Sequence, residues 1–251
     1  FTGGTATGRI VARTAAPMFK KLSLELGGKN ATIVLRDADL TQAVDGAVRA
    51  AFSNSGQVCL CGSRILVDAS IADNFTKLFI EKVESIQIGN PSLAETVMGS
   101  VISPEHLEKV ESYIELGLAE GGTVLTGGTR AMTGFKGPDG IGAFLRPTVV
   151  ADLPHTSRCA TEEIFGPMVT LHTFDTEEQA VEMANHSEYG LAGSVWTTDL
   201  ERGRDLATKI ETGIVWVNTW LHRDLRTPFG GVKNSGVGRE GGKWSMEFFS
   251  E

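Results

Sequence analysis

Short apolar runs alternate with amphipathic stretches through the first half of this 251-residue chain. Residues 31–35 (ATIVL) form a short apolar run typical of a buried strand. Residues 40–52 place their apolar side chains on one face of a helix. Residues 64–67 have strand character, and the apolar spacing within 71–86 predicts a second helix. The Ser-Pro pair that opens residues 103–119 offers an N-cap and a proline at the first helical position, which predicts a third helix.

The second half of the chain repeats this alternation. Strands are predicted at 168–174, 191–196 and 214–218, and sequences resembling capping boxes begin the two helices between them, at residues 175–186 and 198–213. Strands that alternate with helices predict an α/β fold with a mostly parallel sheet. Because ligand sites in such sheets gather at the carboxyl ends of the strands, we expect the functional residues at that edge.

Composition narrows the classes of function. A formal net charge of −8 without a clustered basic face argues against a nucleic-acid partner. The sequence has no apolar run of membrane-spanning length and no signal peptide, so we expect no membrane partner. Three cysteines make a disulfide framework improbable and favour a reduced, cytoplasmic compartment.

The two ends of the sequence suggest a piece of a longer protein. The chain begins without Met on FTGGTATGR and ends on the apolar stretch SMEFFSE. We therefore expect a fragment; a chain cleaved from a tag, or one described only in part, is the alternative.

Two cysteines lie close together in the segment SGQVCLCGSR. Cys59 follows a helix predicted to end near Asn54, and Gly56 allows a tight turn with room for a substrate. A thiolate stabilised there is a nucleophile, and the Cys59 backbone N–H is a candidate donor to an oxyanion. The alternative is that Cys59 and Cys61 are small buried side chains that only fill space.

The segment LELGGKN holds a candidate general base. Glu25 stands between two leucines and is followed by two glycines. In a semi-apolar pocket the pKa of such a carboxyl rises toward the working range of a general base. A glutamate at the end of a strand, before a turn, is the alternative.

Together these two segments resemble signature segments of the NAD(P)-dependent aldehyde dehydrogenases. LELGGKNA and FSNSGQVCLCGS occur in that family's order, with Glu25 lying 34 residues before Cys59. The resemblance implies that Cys59 is the nucleophile and that Glu25 is the base that activates the hydrolytic water.

Three further segments extend the resemblance over nearly the whole chain. FTGGTATGR resembles the family's segment that closes over the nicotinamide, EEIFGP its cofactor-ribose segment, and PFGGVKNSGVGREGG its late glycine-rich segment. The resemblance implies that Glu240 lies in a proton path behind the base, with a surface carboxylate as the alternative. It also implies contacts with the cofactor, NAD or alternatively NADP, from Thr2, Gly3, Leu26, Gly27, Glu163 and Phe165.

The resemblance covers roughly the second half of a family member. It implies a mostly parallel, doubly wound α/β catalytic domain at 28–234, a remnant of the Rossmann-like cofactor domain at 1–27, and a segment at 235–251 that returns toward the cofactor and oligomerisation region. A homo-oligomer, dimer or tetramer, is expected of the parent protein.

The chain departs from the family pattern in two ways. The family's upstream asparagine for the oxyanion is absent, and Gly4 replaces a common serine. We therefore expect the chain alone to oxidise aldehydes poorly or not at all.

The stretch WLHRDLRTPFGG bears on the substrate. It resembles family members that act on muconic semialdehydes, which carry a carboxylate far from the aldehyde. Arginine binds carboxylates bidentately, so Arg223 is predicted to bind that carboxylate at the tunnel wall. Arg226 is a second candidate, with a structural pair to Asp224 as its alternative, and both are surface arginines if the hypothesis fails. A catalytically silent binding remnant and a Cys/Glu hydrolase without NAD remain the competing functions.

Overall fold

A computed structural model describes residues 1–134 and 142–250. In that part of the chain the strands are β1 (Leu24–Glu25), β2 (Ala31–Val34), β3 (Arg64–Asp68), β4 (Thr123–Thr126), β5 (Thr148–Ala151), β6 (Met168–Phe174), β7 (Tyr189–Gly190), β8 (Ala192–Trp196), β9 (Ile214–Val217), β10 (Val232–Lys233) and β11 (Gly236–Val237). The helices are α1 (Thr5–Ala15), α2 (Leu40–Phe52), α3 (Ala72–Glu84), α4 (Pro104–Ala119), α5 (Arg158–Thr161), α6 (Glu177–Asn185), α7 (Leu200–Lys209) and α8 (Gly242–Phe249).

A seven-stranded sheet in the order β4-β5-β6-β3-β2-β8-β9 forms the centre of the molecule. Strand β4 pairs antiparallel to β5, and every other neighbouring pair in this sheet is parallel. The central strands β2 and β3 are buried along their whole length, as expected for parallel strands covered on both faces.

Helices cover both faces of the sheet. On one face, α2 and α3 pack against β3 and β6 around the buried rings of Phe75 and Phe79. On the other face, α6 and α7 pack against β2 and β8, and α4 packs against β5 and β6. The prediction of a doubly wound, mostly parallel α/β fold is therefore confirmed.

Helix caps explain most of the boundaries that the sequence predicts. Asp39, Ser103 and Thr176 each accept a hydrogen bond from a backbone N–H in the first turn of the helix they begin. Helix α7 corrects the prediction for 198–213. Its N-cap is Asp199 rather than Thr198, and it ends at Lys209 because the backbone is already extended at the next residue.

The loops that hold three of the sequence motifs lie at the amino ends of the parallel strands. Residues 24–30 lead into β2, residues 57–63 into β3, and residues 162–167 into β6. The expectation that these residues gather at the carboxyl ends was wrong. Each of these segments precedes its strand in the chain. Because β2, β3 and β6 are parallel neighbours, the three loops before them lie together at one edge of the sheet.

The two terminal segments join each other beside these loops. Strand β1 pairs antiparallel to β11, and Thr2 forms a bridge to Glu25. The predicted division at 1–27, 28–234 and 235–251 stays a prediction, and its last residue, Glu251, lies outside the described residues. Among the described helices, none has the length and apolar character needed to cross a membrane.

Candidate active site

A cavity of about 550 Å³ opens at the amino edge of the sheet. It brings together all the predicted nucleophile, base and cofactor residues except Glu240: Thr2, Gly3, Glu25, Leu26, Gly27, Cys59, Glu163 and Phe165. It is also lined by Gly4, which replaces a common serine of the family's first segment, and by residues for which the sequence suggested no such place: Gln57, Val58, His106 and Lys109.

A left-handed turn places Cys59 at the wall of this cavity. Asn54, Ser55 and Gly56 have φ values of 50°, 57° and 70°, so three consecutive residues occupy the left-handed region. Glycine is required at the third position, because a Cβ there would lie 2.1 Å from the carbonyl oxygen of Gly166. The turn reverses the chain after α2, and Cys59 is half-buried at the cavity wall.

The surroundings of Cys59 favour its protonated form. Burial raises the pKa of the thiol, and the negative charges of Glu163 and Glu25 raise it further. The backbone N–H groups of Cys59 and Leu60 act in the opposite direction and lower this pKa. The resting thiol therefore needs a base, or a change of nearby charge, to become a nucleophile.

Glu25 has the properties of a general base. It is buried, with 4% of its surface exposed, and neither carboxylate oxygen has a hydrogen-bond partner among the described residues. Burial and the charge of Glu240 raise its pKa to about 7, although Arg239 and Arg223 lower it. A carboxyl that titrates near neutrality can both accept and return a proton during a reaction.

Glu240 does not line the cavity, but its charge reaches Glu25. The backbone N–H and carbonyl of Glu240 form hydrogen bonds with the backbone of Phe229. Gly230, which follows Phe229, approaches Glu25 closely. A Cβ at Gly230 would lie 3.0 Å from the Glu25 Oε1 atom. Glu240 therefore acts on Glu25 through its charge, and its role in a proton path stays a prediction.

Glycines hold Glu163 against the segment that follows Glu25. The Gly28 backbone N–H donates to Glu163 Oε1 at 2.9 Å. A Cβ at Gly27 would lie 2.3 Å from Glu163 Oε2, so only glycine allows this approach. The Ser235 hydroxyl donates to the Gly27 carbonyl at 2.6 Å and accepts from the Gly190 N–H at 2.9 Å, which ties the segment to β7.

The cavity fits the nicotinamide end of a dinucleotide cofactor. Glu163 presents a half-buried carboxylate that can accept hydrogen bonds from ribose hydroxyls. Phe165, with φ 60° and 37% exposure, offers an apolar surface beside it. A flat ring with a hydroxylated ribose matches this combination of apolar wall and carboxylate.

Helix α4 contributes two residues that sequence reasoning missed. The His106 Nε2 atom lies 2.6 Å from the Phe165 carbonyl oxygen, and Lys109 Nζ donates to the Glu163 carbonyl at 3.4 Å. Both lie in the first turns of an amphipathic helix and look like ordinary surface residues. No local motif marks them, because their place at the cavity depends on how α4 packs near residues 162–167.

The two arginines predicted to bind substrate lie apart from the Cys59 cavity. Arg223 lines a separate cavity of about 220 Å³ with Trp216, and its guanidinium carbon lies 3.9 Å from the centre of the Phe229 ring. Arg226 is 89% exposed and forms an ion pair with Asp224, which is the structural alternative considered for it. Of these two arginines, Arg223 is the one whose charge lowers the pKa of Glu25.

The other two cysteines lie within the protein interior. Burial raises the pKa of Cys61 to about 12 and that of Cys159 to about 11. Both thiols therefore stay protonated, in agreement with a packing role. The described residues also contain no cluster of three or more His, Cys, Asp or Glu side chains that could hold a metal ion.

Comparison with known proteins places this arrangement in a family. The model of the aldehyde dehydrogenase family matches residues 1–251. Human 2-aminomuconic semialdehyde dehydrogenase is 45% identical over the whole chain, and 2-hydroxymuconic semialdehyde dehydrogenase of Pseudomonas putida is 46% identical. These two matches cover 52% and 51% of the relatives' own lengths, so the chain spans about half of each.

A solved structure gives the same result for the fold. Betaine aldehyde dehydrogenase from Staphylococcus aureus, in complex with NAD+, superposes with a TM-score of 0.93 at 43% identity. The match covers 98% of this chain and 48% of the other. The resemblance in the five motifs is thus confirmed at the level of family and fold.

Proposed function

Because the chain belongs to the aldehyde dehydrogenase family, we propose that the protein oxidises an aldehyde to a carboxylic acid with NAD, using Cys59 as nucleophile and Glu25 as base. One observation carries the proposal: the Cys59 thiol, a carboxyl whose pKa is about 7 and the cofactor carboxylate Glu163 line the same cavity. The NAD+ complexes of the structural relatives favour NAD over NADP.

The residues of the cavity supply each step around the sulfur. The Cys59 thiolate attacks the aldehyde carbon, and the Cys59 backbone N–H stabilises the oxyanion of the thiohemiacetal. Nicotinamide, when bound, would accept the hydride that the thiohemiacetal carbon loses, which would leave a thioester on Cys59. Glu25 takes a proton from water, which hydrolyses the thioester and releases the acid.

Thr2, Gly3, Leu26 and Gly27 would line the nicotinamide, and Glu163 would hold its ribose beside Phe165. Glu163 is held in place by the Gly28 N–H before any cofactor binds, so its carboxylate does not need to be ordered on binding. Glu240 is proposed to pass protons from Glu25 toward solvent, because its charge reaches Glu25 and it is exposed.

Hydrolysis of a simple activated ester tests the chemistry of Cys59 and Glu25 without NAD. Glu25→Gln keeps the size of the side chain but cannot accept a proton. We expect a normal acylation burst followed by turnover slowed roughly 100-fold or more. In the unchanged protein, deacylation should rise with pH through about 7, because Glu25 acts only when it is ionised. A deacylation rate independent of pH in both proteins would contradict the assignment.

We further propose a carboxylate-bearing semialdehyde of the muconic type as substrate. The muconic semialdehyde dehydrogenases among the relatives support this class. Arg223 lines a separate cavity, but its charge reaches Glu25, which keeps it a candidate for binding the distant carboxylate. Arg223→Ala should raise the KM for a carboxylated aldehyde at least tenfold while leaving the KM for an aliphatic aldehyde within about twofold.

Arg226→Ala is the matched control, because Arg226 is already paired with Asp224. We expect it to change neither KM by more than about twofold. Equal losses for both substrates in the Arg223 variant would remove the case for carboxylate recognition. Because the relatives are about twice as long, these kinetics are measured on the longest form of the protein that contains residues 1–251. For the 251-residue chain alone we propose weak or absent oxidation.

A further inference from the structure

Asn30 connects three elements through its side-chain amide. Its Nδ2 group donates to the carbonyl oxygens of Cys59 and Cys61, at 2.8 and 2.9 Å, and its Oδ1 accepts from the Ala192 N–H at 2.9 Å. Both amide hydrogens and the carbonyl oxygen are therefore used, in a residue that is 4% exposed. The proposed mechanism gives this residue no part.

These contacts fix the peptide group that follows the nucleophile. The Cys59 carbonyl is held by Asn30 on one side and packs against Gly28 on the other, where a Cβ would lie 2.5 Å from the oxygen. In a trans peptide the N–H points away from the C=O, so a fixed Cys59 carbonyl also fixes the direction of the Leu60 N–H.

The Leu60 N–H is one of two backbone groups that favour the Cys59 thiolate, the other being the N–H of Cys59 itself. The opposing influences are burial and the carboxylates of Glu163 and Glu25, while the nearby Cys61 thiol stays protonated. The largest influences on this balance include no basic side chain. Each backbone donor therefore matters for the fraction of thiolate, although burial and the two carboxylates act more strongly.

We propose that Asn30 is a positioning residue for the nucleophile: its amide holds the Cys59 carbonyl so that the Leu60 N–H faces the thiol and stabilises the thiolate. The proposal rests on the assignment of Cys59 as the nucleophile. In this proposal Asn30 contacts neither substrate nor cofactor. It acts on the thiol only through the peptide group that joins Cys59 and Leu60.

The test is the pH dependence of alkylation of Cys59 by iodoacetamide, followed by mass spectrometry of the peptide that contains it. The unchanged protein is compared with Asn30→Ala, which adds no charge near the sulfur. We expect the midpoint of the rate profile to move upward by about one unit, which corresponds to a rate lowered about tenfold at pH 7.5. Circular dichroism establishes that both proteins fold.

Asn185→Ala is the matched control. The Asn185 amide also joins two backbone groups, the Lys209 carbonyl at 2.9 Å and the Glu211 N–H at 2.8 Å, but at the far end of α6. We expect its alkylation profile to coincide with that of the unchanged protein. A folded Asn30→Ala protein with the same midpoint as the control overturns the proposal.

If Asn30→Ala does not fold, Asn30→Ser replaces it, because its shorter side chain leaves at least one of the two carbonyls without a donor. An upward midpoint in that variant supports the proposal and an unchanged midpoint overturns it. Alkylation needs neither aldehyde nor NAD. If the longest form of the protein that contains residues 1–251 fails to oxidise any aldehyde but shows this shift, the proposed function is refuted and the role of Asn30 stands.

Discussion

Glu25 and Lys29 lie in the same short segment and reach a similar pKa from opposite sides. Burial raises the pKa of the Glu25 carboxyl to about 7 and lowers the pKa of the Lys29 amine to about 7. Neither charged group has a hydrogen-bond partner among the described residues. A general base, the role proposed for Glu25, needs a pKa near neutrality, whereas the buried amine of Lys29 destabilises the folded protein.

The stability cost of Lys29 depends on pH in a defined direction. The unfolded chain holds the Lys29 proton up to about pH 10.5, whereas the folded protein releases it near 7. Between these values the unfolded state binds more protons, so stability rises with pH and the full penalty applies below 7.

We expect Lys29→Met to stabilise the protein by a few kcal/mol at pH 6 and by progressively less as the pH approaches 10.5. Urea unfolding across this range measures the difference. Lys82→Met, at an exposed ion pair with Asp45, serves as control and should change stability by less than about 1 kcal/mol at every pH. A Lys29 variant less stable than the parent throughout would mean that the amine is satisfied in the folded protein.

Among the secondary-structure elements, the short antiparallel pair of β1 and β11 determines where the base lies. Glu25 pairs with Gly236, whose φ is 137° and whose Cβ, if present, would lie 1.9 Å from the Leu24 carbonyl oxygen. Glycine is therefore the residue that lets the late glycine-rich segment close over the base.

Gly236→Ala should separate β1 from β11 and displace Glu25 while leaving the Cys59 loop in place. We expect ester deacylation to fall at least tenfold, since it depends on the base, with alkylation of Cys59 changed less than about twofold. Gly238→Ala is the control, because its φ of 92° imposes similar strain but its nearest neighbour would lie 3.3 Å away. Equal losses in both variants would indicate general strain of the segment.

Elements with a clear apolar period could be predicted from sequence, and those that depend on packing could not. The strand at 168–174 and the helix at 40–52 have the predicted bounds, because burial of their apolar faces determines them. Cys59 and Glu25 stood out because motifs surround them. His106 gave no such signal, since its place at the cavity depends on how α4 packs near residues 162–167 rather than on its own neighbours. The expectation that the functional residues lie at the carboxyl ends of the strands was wrong, because the loops that hold them precede their strands and lie at the amino ends.

At the scale of the whole molecule, Arg64 joins the sheet to the layer of helices beneath it. Its guanidinium donates to the carbonyls of Lys29, Met183 and Ala184 at 2.7–2.8 Å, and only 3% of the residue is exposed. The last two carbonyls belong to the final turn of α6, where a positive charge is favourable. One side chain thus satisfies acceptors from two layers.

We expect Arg64→Met to destabilise the protein by about 3 kcal/mol or more, because three buried carbonyls lose their donor. The midpoint and slope of urea unfolding measure this change. Arg158→Met is the surface control: the side chains of Arg158 and its partner Glu162 are 61% and 40% exposed, so about 1 kcal/mol or less is expected. Similar losses in the two variants would show that the buried contacts add little.

The meeting of loops at the amino edge of the sheet has a consequence for how the protein folds. The contacts that assemble the cavity join residues far apart in sequence: Asn30 and Ala192 are 162 positions apart, and Gly27 and Ser235 are 208 positions apart. Contacts of such separation carry a high loop-closure cost and form late. During refolding, helical content should therefore recover before the Cys59 thiol regains its native alkylation rate. The nucleophile itself is then a reporter of the last step of folding.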